Sequence, residues 1–127
     1  MLYEIDTKKS IEQIDQALRA ASAEHKFGVL GVHDLKDAME KKGVPFSNTC
    51  LVYEICNPQQ AKKVLEANIA FSSMLPCRIS VHGISDGYRL STVLPTAFVK
   101  LFPAKDIEPI ALEVESVVKA IMQEAAS

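Results

Sequence analysis

A chain of 127 residues is long enough to bury one hydrophobic core and too short for two ordinary domains, so the sequence points to a single domain over residues 1–127. Apolar residues make up 48% and charged residues 24%, the balance of a globular protein, which excludes wholesale disorder. With 14 basic against 16 acidic residues the formal net charge is -2, which removes the electrostatic reason to expect nucleic acid or an anionic membrane as a partner.

No apolar run approaches the roughly 18 residues needed to span a bilayer. Met1-Leu2-Tyr3-Glu4-Ile5-Asp6 has neither the basic nor the apolar region of a signal peptide. The three cysteines, Cys50, Cys56 and Cys77, are an odd number at spacings that match no zinc or CxxC pattern. A cytoplasmic protein with reduced thiols is the expectation.

In chain order, residues 2–6 alternate as a short strand with Tyr3 and Ile5 inward. Ser10-Ile11-Glu12-Gln13 has capping-box spacing, and Ile11, Ile14, Ala17, Leu18 and Ala21 recur at helical period to about Glu24. Phe27–His33 reads as a buried strand whose two glycines allow close backbone approach. Asp34 can cap a short helix over Leu35, Ala38 and Met39, with Gly43 as its stop.

Residues 49–56 are the strongest strand, with Leu51, Tyr53 and Ile55 on one side and Cys50, Val52, Glu54 and Cys56 on the other. Asn57-Pro58 is a helix start, proline being tolerated at the first helical position, and Ala61, Val64, Leu65 and Ile69 would form the buried face. Residues 77–82 form the next strand, Cys77, Ile79 and Val81 against Arg78, Ser80 and His82. Ile84-Ser85-Asp86-Gly87 marks a hairpin, so Tyr88–Val93 returns antiparallel. Pro95 and Pro103 bracket a helical turn carrying Phe98, Leu101 and Phe102; Asp106 then caps a helix striped with Ile110, Val114, Val117, Val118 and Ile121.

The order β-α-β-α-β-α-β-β-α implies an α+β fold, a two-layer α/β sandwich with a mixed sheet of about five strands and helices packed on one face. Glu54-Ile55-Cys56-Asn57-Pro58-Gln59-Gln60-Ala61 and Leu75-Pro76-Cys77-Arg78-Ile79-Ser80-Val81 resemble the two signature stretches of a prokaryotic domain-of-unknown-function family, number 302. The resemblance covers nearly the whole chain. It implies the same sandwich and a homodimer, and it brings no established activity, catalytic residue or cofactor.

If helices cover the face of Leu51, Tyr53, Ile55, Ile79 and Val81, the other face carries Glu54, Arg78, Ser80 and His82, with Arg89 or Thr92 from the hairpin partner. That face can be a homodimer interface, plain solvated surface or a ligand floor. Glu54 and Arg78 read first as a cross-strand ion pair. Cys56 and Cys77, each close to a proline at a strand end, are either small buried residues or a thiol pair, with Cys56 near a helix N-terminus that favours thiolate.

His33 and His82 are too scattered to define a metal site with the cysteines. No nucleophile elbow or phosphate loop is present, although Glu54 and His82 could act together if both reached one substrate. The expected function is therefore a homodimeric module that binds a small molecule or a protein, with Glu54, Cys56, Asn57, Cys77, Arg78 and His82 as ligand or interface candidates. The rival is a thiol-redox, sulfur-handling or metal-binding protein using Cys56 and Cys77.

Overall fold

The computed structural model describes residues 1–102 and 107–127. Five strands, β1 (Leu2–Thr7), β2 (Gly28–Asp34), β3 (Cys50–Cys56), β4 (Cys77–Ile84) and β5 (Gly87–Val93), form one sheet in the order β1-β5-β4-β3-β2. Every neighbouring pair is antiparallel, which corrects the expectation of a mixed sheet. β3, β4 and β5 each lie beside the strand before them, while β1 and β2 take opposite edges of the sheet.

Five helices complete the chain: α1 (Ile11–Glu24), α2 (Leu35–Glu40), α3 (Pro58–Ala67), α4 (Thr96–Val99) and α5 (Ile107–Ala126), with a 3₁₀ segment at Ile69–Met74. Their starts follow the local chemistry. Ser10 Oγ accepts from Gln13 N at 3.2 Å while Gln13 Oε1 accepts from Ser10 N at 2.9 Å, a complete capping box. Asn57 Oδ1 accepts from Gln59 N and Gln60 N, with Pro58 in the first turn where no N–H is needed. Asp34 Oδ1 caps α2 through Asp37 N. The expected Asp106 cap and Pro103 lie outside the described residues.

Helices α1 and α5 cover one sheet face. Ile14 and Leu18 of α1, and Val118, Ile121 and Met122 of α5, meet Tyr53, Ile55, Ile79, Val81 and Leu90, all at most 1% exposed. Burial of such side chains contributes roughly 1.5–3 kcal/mol each before chain entropy is subtracted. A second, smaller cluster of Val64, Phe71 and Ile107 gathers Met74, Leu75, Phe98 and Phe102 around it. Phe71 and Phe102 stack with ring centroids 4.7 Å apart. Ile69, expected on the buried face after α3, is 73% exposed, because the chain turns into the 3₁₀ segment there.

β2 is an edge strand rather than a buried one, with an irregularity between Val29 and Gly31 that leaves Leu30 64% exposed. Its glycines are not forced by close backbone approach: a Cβ on Gly31 would meet Glu54 Oε1 at 3.7 Å, an ordinary contact. Gly87 differs. It closes the two-residue Ser85-Asp86 hairpin at φ +125° with its α-carbon against the Thr7 carbonyl.

Candidate functional site

The antiparallel order brings the C-terminal ends of β3 and β5 and the N-terminal end of β4 to one edge of the sheet. There a cavity of about 150 Å³ is lined by residues of both apolar clusters. Ile55 and Cys77 form its sheet side; Ala61 and Val64 of α3, Phe71 and Met74 of the 3₁₀ segment, and Phe98 of α4 form its cover; Ala111, Val114 and Val118 of α5 close its base. A space of this size takes a guest about the size of a single aromatic ring.

Four of the six residues expected at a site border this cavity: Cys56, Asn57, Cys77 and Arg78. Cys77 lies directly across from Ile55 in the β3–β4 register, and Cys56 ends β3. Burial pushes the Cys77 thiol up to about 11, reinforced by neighbouring Cys56 and opposed by Arg78. Burial raises the Cys56 thiol as well. The dipole of α3 therefore does not prevail over desolvation, and both groups are held as neutral thiols near pH 7.

Glu54 and His82 sit elsewhere. Glu54 belongs to the opposite sheet face, where Oε1 lies 2.8 Å from His33 Nε2 and Oε2 lies 3.9 Å from Arg78 Nε. That places the Arg78 guanidinium toward the uncovered face while the start of its strand borders the cavity. His82 stands across from Cys50 and Arg89, five residues along β4 from Cys77, about 16 Å at the rise of a strand. Glu54 and His82 share a face, yet they do not converge on the cavity.

The uncovered face holds further polar pairs. Arg89 Nε and Nη2 donate to the two carboxylate oxygens of Asp6 at 2.7 and 3.1 Å, which lowers the Asp6 carboxyl. Ser91 Oγ donates to Glu4 at 2.8 Å. Arg89 is on this face as expected, but Thr92 is not. It shares parity with Leu90, is 7% exposed, and donates Oγ1 to the Arg78 carbonyl at 2.7 Å beneath the cavity.

The residue that sequence reasoning passed over is Gln60. Its Nε2 donates to Glu113 Oε1 at 2.8 Å, which fixes which end of the amide is which, since a carboxylate only accepts. Its Oε1 is buried with no partner among the described residues, on a side chain that forms part of the cavity wall. The signal for the cavity cover is present in Phe71 and Phe98, aromatic residues in the short segments between the long striped helices. Among the described residues no group of three or more His, Cys, Asp or Glu side chains could hold a metal ion, and no described helix is long and apolar enough to cross a membrane.

Comparison with known proteins agrees with the fold. The crystal structure of an uncharacterised conserved DUF302 protein from Bacillus stearothermophilus superposes with a TM-score of 0.92 at 25% identity, covering 98% of this chain and 97% of that one. No curated protein matches the sequence. The family model for the domain of unknown function DUF302 matches residues 3–125, so the chain belongs to the DUF302 family.

Proposed function

We propose that this protein is a non-catalytic, homodimeric small-molecule-binding module whose ligand occupies the cavity at the β3–β4 edge. The observation that carries the reading is the cavity itself: about 150 Å³ of unfilled space with mostly apolar walls, open on one side to solvent. Emptiness on this scale is tolerated where a guest fills it. The uncovered face supports the dimer, since Glu4, Asp6 and Glu54 alternate with Arg78, Arg89 and His82 and can complement a second copy of themselves.

A titration of ¹⁵N-labelled protein with toluene, followed by two-dimensional NMR, tests both parts. Shift changes are expected at Ile55, Val64, Phe71 and Ala111 and nowhere on the uncovered face. Ala111→Phe, which projects a ring into the space, is expected to abolish them while keeping a dispersed spectrum. Relaxation measured on the same sample gives the tumbling time; a monomer at submillimolar concentration removes the dimer, and an unresponsive cavity removes the ligand site.

Thiol chemistry keeps one observation in its favour, that Cys56 and Cys77 border the same cavity. Burial raises both thiols, which opposes nucleophilic use. Iodoacetamide at pH 7.5 is expected to leave Cys77 unmodified in the native protein and to modify it in guanidinium. Rapid native alkylation of either cysteine, read by mass spectrometry, would shift the function toward redox or sulfur handling.

A further inference from the structure

We infer that the ligand of this cavity is a small uncharged molecule, apolar over most of its surface, carrying one O–H or N–H group that donates to Gln60 Oε1. The inference rests on the cavity being the ligand site and adds what the site selects.

Size comes first. A space of about 150 Å³ accommodates one ring or a short branched chain and is too small to enclose a nucleotide or a long acyl chain. Charge comes second. Arg78 is the sole charged residue bordering the cavity among those described, and its guanidinium faces Glu54 at 3.9 Å across the other side of the sheet. An anion entering the cavity would lose its water and gain no cation, and a cation would find no carboxylate. The raised thiols are a second sign that this region disfavours charge.

Polarity comes third. Gln60 Oε1 is shielded from water and unpartnered among the described residues, while Nε2 is held by Glu113 at the surface. A buried acceptor without a donor is a standing cost that few folded proteins tolerate. The last torsion of a glutamine is broad and shallow, so a rotation that loosens the Nε2–Glu113 bond turns the oxygen toward a guest within the ordinary range of that torsion. Because this polar group only accepts at its buried end, the guest must donate.

The test compares phenol, toluene and benzoate by NMR titration on the native protein and on Gln60→Met, which keeps the side-chain length and removes the amide. The native protein is expected to bind phenol at least as tightly as toluene and to show no response to benzoate. In Gln60→Met the ratio of phenol to toluene dissociation constants should rise about tenfold or more, because a buried hydroxyl then has no acceptor.

An unchanged ratio, with toluene still bound, would overturn the role of Gln60 and leave the cavity as a ligand site. Benzoate binding as well as phenol would overturn the exclusion of charge. If neither phenol nor toluene binds, the cavity reading and this inference fail together.

Discussion

Gly87→Ala is expected to destabilise the protein by about 3 kcal/mol or more, enough to lower the melting temperature by roughly 10 °C or more in a domain of this size. The reason is twofold. Gly87 sits at φ +125°, where an L side chain is strained, and its missing Cβ is the space that the Thr7 carbonyl occupies. Thr7 cannot retreat easily, because it is 7% exposed and its Oγ1 donates to the Ala126 carbonyl at the end of α5 at 2.9 Å. Gly43 supplies the control. It also has positive φ, at +78°, but nothing lies within 4 Å of its would-be Cβ, so Gly43→Ala should cost only about 1 kcal/mol. Thermal unfolding of the two variants side by side separates backbone strain from the clash; equal losses would mean that the β1–β5 edge yields around residue 87.

Tyr53→Ala should be comparably damaging, about 3–5 kcal/mol, as a large side chain only 1% exposed at the centre of the sheet. Tyr53→Phe isolates the hydroxyl, which donates to Asp15 Oδ1 of α1 at 2.6 Å. The Asp15 side chain is 38% exposed and keeps some of its water, so removing the hydroxyl should cost only about 1 kcal/mol. The pH dependence carries more information than the size. Hydrogen bonding from Tyr53, and then Arg19, lowers the Asp15 carboxyl below its ordinary 3.8. That part of the stability is complete above about pH 4 and is lost as acid titrates the carboxylate through its lower folded value. Burial and the Asp15 carboxylate push the Tyr53 phenol well above its ordinary 10.0. Its contribution is complete below pH 10 and fades as the unfolded chain, but not the folded one, ionises. Urea midpoints should therefore favour the native protein over Tyr53→Phe between about pH 5 and 9, with a smaller margin in acid, and the order should reverse above about pH 10, where only the tyrosine chain gains by ionising when unfolded. A constant difference from about pH 3 to 11 would mean the hydroxyl contributes packing alone.

Local signals carried much of this architecture. The alternation of Leu51, Tyr53 and Ile55 against Val52 and Glu54 gives the buried and open faces of β3, and the Ser10, Asp34 and Asn57 caps set three helix starts. The Asp86-Gly87 corner sets the hairpin. Strand neighbours are a different kind of information. Phe27–His33 has the composition of an interior strand, yet its place at the edge follows from which partners the rest of the chain leaves free, and no residue within it encodes that. The direction of β1 was hidden for the same reason. Of the two hairpin residues open for the uncovered face, Arg89 takes it, and Thr92 is buried with its hydroxyl on the Arg78 carbonyl.

The candidate site was half legible. Cys56, Asn57, Cys77 and Arg78 cluster because β3 ends where β4 begins, an adjacency the two signature stretches suggest. The cavity beside them is assembled from α3, the 3₁₀ segment, α4 and α5, and a void leaves no mark in any one of these segments. Gln60 resembles any solvent-facing helix residue until Glu113 is found to hold one end of its amide.

The pairing of β1 with β5 matches Leu2 to Val93 across 93 − 2 = 91 positions of sequence. During synthesis β1 therefore emerges first and has no partner strand until almost the whole sheet has been made. The local β2–β3–β4–β5 meander can assemble on its own contacts, while β1 and the α1–α5 layer wait for the closing of a long loop, a slow step in folding. In the nascent chain, Leu2, Tyr3 and Ile5 are thus the apolar residues left longest without a partner strand.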